Sequence, residues 1–198
     1  DLDAQMPLLN KSGELNLKEA YHPLLFLQNK QQDKETIPFS VALNKQQHIL
    51  LISGPNAGGK SVTLKTIGLL QLMVQFGLLI TCNEHSKMSI FANILTDVGD
   101  KQSIENELST YSSRLMHMKH FIEHANKKTL FFIDEFGTGT DPRLGAAMAE
   151  ALMLRLASTN AYGVITTQYS NLKKVGEQDQ RFLNAAMVKK KKNLSPTY

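Results

Sequence analysis

The feature that most constrains the fold is a glycine-rich octapeptide, Gly54-Pro-Asn-Ala-Gly-Gly-Lys60-Ser61, which fits the pattern G-x-x-x-x-G-K-S/T. The apolar run at 48–53 before it is typical of a buried strand, and the helical pattern after it ends near Phe76, before Gly77. A turn between a strand and a helix presents backbone N–H groups and the positive end of the helix dipole to an anion. The segment therefore predicts a phosphate-binding loop.

The pattern also assigns roles to individual residues of this loop. Lys60 is expected to contact the β- and γ-phosphates of a nucleoside triphosphate, and the Ser61 hydroxyl is expected to coordinate Mg²⁺. The residues predicted to surround the phosphates are Gly54, Pro55, Asn56, Ala57, Gly58, Gly59, Lys60, Ser61 and Val62.

A second motif places two carboxylates after an apolar strand. Thr129 to Ile133 is an unbroken apolar run that ends in Asp134-Glu135. A strand next to the phosphate loop delivers Asp134 to the Mg²⁺ ion, and Glu135 is then placed to act as general base toward an attacking water. Taken alone, the segment is equally well an ordinary strand with an acidic end. Together with the loop, it favours hydrolysis over phosphoryl transfer to a metabolite.

The rest of the chain indicates the fold class. From Ile37 onward, short apolar runs alternate with longer helical periods, which is typical of βα units around a mainly parallel sheet. With 198 residues, 42% of them apolar, the chain is long enough for one substantial domain. The stretch before residue 35 is mixed and polar, and we expect it to have little core of its own. Residues 28–34 contain no apolar side chain and are expected to form an exposed loop.

Charge and cysteine content exclude several classes of protein. The net charge of +4 equals the charge of the lysine run at 189–192, so the basic excess is one patch and argues only weakly for nucleic acid. Cys82 is the only cysteine, which excludes an internal disulfide framework and favours a reducing compartment. The longest apolar stretch, 68–80, would span about 20 Å as a helix, which is less than a bilayer core, so we expect no membrane partner.

Four segments of the chain form a combined pattern. They are, in chain order, the octapeptide, Gly99-Asp-Lys-Gln-Ser103, Leu108-Ser-Thr-Tyr111 and Asp134-Glu-Phe-Gly-Thr-Gly-Thr-Asp141. Together they resemble the ATPase domain of the MutS family. Residues 103–110 and the Asp141-Pro142 pair are more similar to the recombination-suppressing, nuclease-bearing branch of that family than to the branch that reads mismatches.

The resemblance implies an α/β fold of the P-loop NTPase class and ABC type, with a mainly parallel sheet flanked by helices. It implies ATP and Mg²⁺ as ligands, a homodimer formed through the ATPase domain, DNA as the partner of the full-length protein, and a location in the bacterial cytoplasm with the nucleoid. Residues 1–34 would then be an N-terminal lead-in, the end of a missing helical region, and residues 35–198 the ATPase domain.

Four further site residues are implied by the resemblance alone. Ser109 and Thr110 would reach the γ-phosphate bound in the partner subunit, although Ser109 is alternatively a helix-surface serine. Gln102 would sense the metal or the water, or else simply start a helix. His22, before Pro23, would lie near the nucleotide, or else be a loop histidine before a turn.

One position departs from the family pattern. Gln168 stands where the family normally has a histidine that contacts the γ-phosphate. A glutamine donates a hydrogen bond but carries no positive charge near neutral pH. We therefore expect slow hydrolysis, with Glu135, Lys60 and Gln168 as the catalytic residues. The alternative is a module that dimerises around a nucleotide with little turnover.

Overall fold

A computed structural model describes residues 2–55, 59–99, 107–138 and 141–186, without the side chains of residues 107–111. The strands are β1 (Leu8–Asn10), β2 (Leu15–Ala20), β3 (Phe39–Leu43), β4 (Ile49–Ser53), β5 (Lys87–Ser89), β6 (Asn93–Asp97), β7 (Thr129–Ile133), β8 (Tyr162–Thr167) and β9 (Phe182–Ala186). The helices are α1 (Pro23–Gln31), α2 (Lys60–Gln75), α3 (Glu107–His124), α4 (Pro142–Ala157) and α5 (Ser170–Gln178).

A five-stranded parallel sheet forms the centre of the fold. Its strand order is β6-β7-β8-β4-β9, and each neighbouring pair runs in parallel. Every residue of β4, β7 and β8 is buried, as expected for strands that are covered on both faces. The predicted fold class, α/β with a mainly parallel sheet flanked by helices, is confirmed.

The two faces of this sheet bury two separate apolar clusters. On one face, Leu50 and Ile52 of β4 pack in a cluster with residues of α2 such as Ile67. On the other face, Ile49 and Leu51 pack in a cluster with residues of α3, α4 and α5. Successive strand residues point to opposite faces, so a single apolar strand supplies both clusters.

A second sheet of four strands, in the order β1-β5-β2-β3, joins the α2 side of the core. β2 pairs antiparallel with both β3 and β5, whereas β1 pairs parallel with β5. Leu15 and Leu17 of β2 are fully buried in the same cluster as α2. The expectation that the stretch before residue 35 contributes little core was therefore wrong, because β2 completes a sheet with strands that follow it.

Two local predictions can be compared directly with the helices. α2 begins at Lys60 and is followed by Gly77 at φ +74°, as the pattern predicted, because glycine adopts this left-handed conformation without strain. The exposed loop predicted at 28–34 was wrong in its first half, since α1 extends to Gln31. The side chains of residues 28–31 are polar and mostly exposed, so no periodic apolar pattern indicated a helix in this segment.

Within the part of the chain that the structure describes, no helix combines the length and apolar character needed to cross a membrane.

His48, which precedes β4, gives the fold a measurable dependence on pH. Its side chain is 2% exposed and its Nδ1 lies 2.6 Å from the carbonyl oxygen of Ala161. Burial lowers the pKa of His48 below its ordinary value of 6.5, although the hydrogen bond to Ala161 acts in the opposite direction. The unfolded chain therefore binds a proton more readily than the folded chain, so stability is lost as the pH falls below 6.5.

We predict that the free energy of unfolding of the wild type falls when the pH is lowered from about 7.5 to about 5.5. In His48→Gln the fall should be smaller, because a glutamine amide can also donate to Ala161 but does not titrate. Denaturant unfolding at both pH values measures this, and His85→Gln, at an exposed histidine, is the matched control. An equal fall in wild type and His48→Gln would contradict the prediction.

Candidate nucleotide-binding site

The predicted site residues meet where three neighbouring strands of the parallel sheet end. β4 is followed by Gly54, β7 by Asp134 and β8 by Gln168, and the strand order places β8 between β7 and β4. In parallel sheets the loops at the carboxyl ends of the strands line one crevice, where ligands bind. The sheet topology therefore brings together side chains that are far apart in the sequence.

The loop after β4 has the backbone that its glycines allow. Gly54 has φ +136° and Gly59, at the N-cap position of α2, has φ +86°. The start of α2 presents backbone N–H groups and the positive end of its dipole to this crevice. The predicted contacts of Asn56, Ala57 and Gly58 lie outside the described residues.

Lys60 is held at this loop by a hydrogen bond to the backbone. Its side chain is only 2% exposed, and Nζ donates to the carbonyl oxygen of Gly54 at 2.6 Å. A buried ammonium group needs acceptors around it, and the loop supplies one of them. The positive charge is therefore fixed beside the amino end of α2, where a phosphate group would be attracted by both.

Ser61 and Asp134, the two predicted Mg²⁺ ligands, are in direct contact. The Ser61 hydroxyl donates to Oδ1 of Asp134 at 2.9 Å, across 73 residues of sequence. A hydroxyl and a carboxylate are hard oxygen donors of the kind that Mg²⁺ binds, usually together with phosphate oxygens and waters. The chemistry and the proximity of these two side chains thus fit a Mg²⁺–triphosphate site.

Thr166, near the end of β8, holds this carboxylate in place. Its hydroxyl donates to Oδ1 of Asp134 at 2.5 Å and accepts from the backbone N–H of Glu135 at 2.8 Å. The backbone N–H of Asp134 donates in turn to the carbonyl oxygen of Asp97 at 3.0 Å. Thr166 was not predicted as a site residue, although it lies only two residues before Gln168.

Glu135 has a conformation that L-residues rarely adopt. Its φ is +53°, in the left-handed region, which costs on the order of 1 kcal/mol for a side chain other than glycine. Such a conformation persists when the surrounding contacts determine it. The carboxylate is partly exposed, so it is accessible to water at the carboxyl edge of the sheet.

The turn after Glu135 packs closely against the segment that follows β8. Gly137 has φ +92°, and a Cβ atom there would come within 2.7 Å of the ring of Tyr169. The Tyr169 hydroxyl donates to the carbonyl oxygen of Gly137 at 3.2 Å. Asp141 caps α4 by accepting from the backbone N–H groups of Arg143 and Leu144, at 3.0 and 3.1 Å. Gly139 and Thr140 lie outside the described residues.

Of four further predicted site residues, the structure describes the side chain of Gln168 only. Gln168 is exposed directly after β8, at the same edge of the sheet as Asp134. Ser109 and Thr110 belong to the first turns of α3, but their side chains lie outside the described part of the chain, as does all of Gln102. Their predicted contacts remain predictions.

His22 has a structural role in this fold. Its Nδ1 accepts from the backbone N–H of Leu25 at 3.4 Å and so caps α1, with Pro23 in the first turn. Burial lowers the pKa of His22, which keeps Nδ1 free to accept. A contact with a nucleotide remains a prediction.

Comparisons with known proteins agree with the motifs. The family model described as MutS domain V matches residues 50–198. Endonuclease MutS2 of Caldicellulosiruptor saccharolyticus is 44% identical over 201 residues, covering 100% of this chain and 24% of the relative. Endonuclease MutS2 of Leuconostoc mesenteroides is 42% identical over 197 residues, again with 100% and 24% coverage. Endonuclease MutS2 of Carboxydothermus hydrogenoformans is 41% identical over 198 residues, with 100% and 25% coverage.

The chain thus spans about a quarter of the length of the curated relatives it matches. The similarity covers the whole of the chain, so it includes the residues before the phosphate loop as well as the loop itself. It confirms the resemblance that the four sequence segments indicated.

We predict that Lys60→Ala weakens ATP binding by about tenfold to a hundredfold, because a charge-assisted hydrogen bond to a phosphate is lost. Titration with a fluorescent ATP analogue measures the affinity. Lys65→Ala removes an exposed lysine from the same helix and should bind as tightly as the wild type. Unchanged affinity in Lys60→Ala would contradict the assignment of the loop.

Proposed function

This chain belongs to the MutS family, and on that premise we propose that it binds and hydrolyses ATP as the ATPase domain of a DNA repair and recombination-control protein. The observation that supports this most directly is the contact between Ser61 and Asp134. It unites a phosphate loop and a strand-end carboxylate in one site, as hydrolysis of a Mg²⁺–triphosphate requires.

The proposed mechanism assigns one task to each side chain. Lys60 and the amino end of α2 bind the β- and γ-phosphates and offset the charge that develops on them. Ser61 and Asp134 would hold Mg²⁺, which supplies Lewis-acid stabilisation of the phosphate oxygens. Glu135 accepts a proton from the water that attacks the γ-phosphorus, so that the bond to the β-phosphate oxygen breaks and ADP and phosphate are released.

At the level of the whole protein, we propose that two such domains form a homodimer around ATP. Ser109 and Thr110 of each subunit would contact the γ-phosphate bound by the other. Closing and reopening would then act on DNA-clasping segments in the remaining three quarters of the parent protein, which would work at the nucleoid of the bacterial cytoplasm.

We predict that Glu135→Gln lowers the rate of ATP hydrolysis by about a hundredfold or more, because the water loses its general base. The affinity for ATP should stay within about threefold, since Glu135 is not among the residues that hold the phosphates. Phosphate release and nucleotide titration measure the two quantities. Glu84→Gln, at an exposed loop carboxylate, is the control, and undiminished hydrolysis in Glu135→Gln would contradict the role of general base.

The second candidate function, a nucleotide-dependent dimerisation module with little turnover, is favoured by one observation. Gln168 stands where the resemblance to the family leads us to expect a histidine that contacts the γ-phosphate, and a glutamine amide cannot supply a positive charge there. One experiment distinguishes the two functions, in which phosphate release and the sedimentation of the protein are both measured in the presence of ATP. Dimerisation without phosphate release would favour the module over the ATPase.

We predict that Gln168→His raises the rate of hydrolysis by about tenfold, because a protonated imidazole brings a positive charge to the γ-phosphate, which the glutamine amide cannot do. Gln178→His makes the same change at an exposed position at the end of α5 and should leave the rate unchanged. Equal rates in Gln168→His and the wild type would show that the glutamine does not limit hydrolysis.

A further inference from the structure

One arginine of α3 reaches the turn that carries Glu135. The Nη1 atom of Arg114 donates to the Thr138 hydroxyl at 2.7 Å and lies 3.4 Å from the carbonyl oxygen of Glu135. Its Nε atom lies 3.8 Å from Oδ2 of Asp97, the last residue of β6. The guanidinium therefore joins three elements: α3, the end of β6 and the turn after β7.

The hydroxyl of Thr138 links Arg114 to Glu135 through two hydrogen bonds. Thr138 Oγ1 has a single proton, which it donates to the carbonyl oxygen of Glu135 at 2.9 Å. The lone pairs of the same hydroxyl accept from Arg114. Three donors thus converge on the carbonyl oxygen of Glu135: Arg114 Nη1, the Thr138 hydroxyl and the Thr138 backbone N–H. Arg114 acts on this oxygen both directly and through the hydroxyl that it orients.

The turn needs such support because of its backbone conformation. Glu135 has φ +53°, and its N–H and carbonyl groups are both used, by Thr166 on one side and by Arg114 and Thr138 on the other. A strained residue relaxes when the contacts that hold it are removed. Loss of the guanidinium would remove one donor from the carbonyl oxygen of Glu135 and leave the Thr138 hydroxyl without the donor that orients it, while the Thr166 side stays intact.

The other end of the arginine is fixed by a buried carboxylate. Asp97 is 9% exposed, and its Oδ1 lies 3.2 Å from Nδ1 of His117, one turn further along α3. The carbonyl oxygen of Asp97 accepts from the backbone N–H of Asp134. The residue that anchors Arg114 therefore also orients the backbone of the carboxylate that would hold Mg²⁺.

We propose that Arg114 is a positioning residue for Glu135, which it holds in the geometry that hydrolysis requires. The proposal depends on the hydrolytic role proposed for Glu135. Because Arg114 belongs to α3 and contacts Glu135 and Thr138, a movement of α3 relative to the sheet would also move the turn after β7. Among the described residues, the polar contacts of Arg114 are with Asp97, Glu135 and Thr138, so we expect its loss to act on the turn and not on nucleotide affinity.

A lysine cannot replace the arginine fully. The planar guanidinium presents donors in different directions, so Nε faces Asp97 while Nη1 faces Thr138. A lysine ammonium is a single point of charge on a flexible chain and would satisfy one side at a time. Arg114→Lys should therefore retain part of the effect, whereas Arg114→Gln should lose most of it.

The experiment compares Arg114→Gln and Arg114→Lys with the wild type. Arg155→Gln is the matched control, since Arg155 is an exposed arginine in the last turn of α4. In Arg114→Gln we expect the rate of ATP hydrolysis to fall by about tenfold to a hundredfold, as for a misplaced catalytic group. The affinity for ATP should stay within about threefold, and Arg114→Lys should be intermediate.

Hydrogen exchange gives a readout that does not depend on hydrolysis. The backbone N–H groups of Glu135, Phe136 and Thr138 are all hydrogen-bonded in the wild-type turn. In Arg114→Gln the Thr138 amide, which donates to the carbonyl oxygen of Glu135, should exchange faster. The amides of Glu135 and Phe136, which donate to Thr166, should keep their protection, as should the amides within β4 and β8. A general loss of stability would instead raise exchange throughout the core.

Thr138→Val completes a double-mutant cycle. If Arg114 acts through the Thr138 hydroxyl, then the combined variant should hydrolyse ATP about as slowly as Arg114→Gln alone. If the two single reductions in the rate of hydrolysis multiply in the combined variant, then Arg114 does not act through the Thr138 hydroxyl, and this part of the proposal is overturned.

Each of the remaining outcomes decides one of the two proposals. Unchanged exchange in the turn overturns the positioning role, whatever the rate of hydrolysis. Losses of rate, affinity and global protection in equal measure overturn it as well, because they indicate a structural role only. If the wild type and Glu135→Gln both fail to hydrolyse ATP, then the proposed function fails. Faster exchange in the turn of Arg114→Gln would in that case still support the positioning of Glu135 by Arg114.

Discussion

The carboxylate of Asp134 is the point on which the rest of the site depends. It accepts from Ser61 on the phosphate-loop side and from Thr166 on the β8 side, both through Oδ1. Ser61 is the second residue of α2, the helix that covers one face of the sheet, whereas Thr166 lies within the sheet itself. A shift of α2 against the sheet would thus separate the two predicted Mg²⁺ ligands, so the packing of Leu64 and Ile67 beneath the loop is also a condition of the chemistry.

The parallel sheet explains why this arrangement forms. Strands β7, β8 and β4 are fully buried and lie side by side in register, which places Ile133 opposite Ile165 and Ser53 opposite Thr167. Apolar side chains on both faces hold the strands, and polar side chains such as Ser53, Thr166 and Thr167 appear in the last residues of β4 and β8. The same burial that stabilises the fold therefore collects the charged and hydroxyl groups at one edge.

The sequence was sufficient to predict the parts of the site that depend on local pattern. The phosphate loop, the strand before it and β7 with Asp134-Glu135 each follow from a short run of residues. Thr166 and Arg114 are different, because their roles depend on strand register and on how α3 lies against the turn. α1 was not predicted, because its later residues are polar and exposed and Pro23 at its start is equally typical of a turn. β2 could be placed only through its pairing with β3 and β5.

The hydrogen bond between Lys60 and Gly54 bears on how a nucleotide would bind. In the loop, the ammonium group donates to a neutral carbonyl oxygen. A phosphate oxygen carries negative charge, so it attracts the ammonium group more strongly than a neutral carbonyl oxygen does at the same buried position. The exchange of one acceptor for the other therefore favours the triphosphate, and only the difference between the two bonds appears as affinity. The loop keeps its buried charge satisfied by the backbone and still prefers an anion to its own carbonyl.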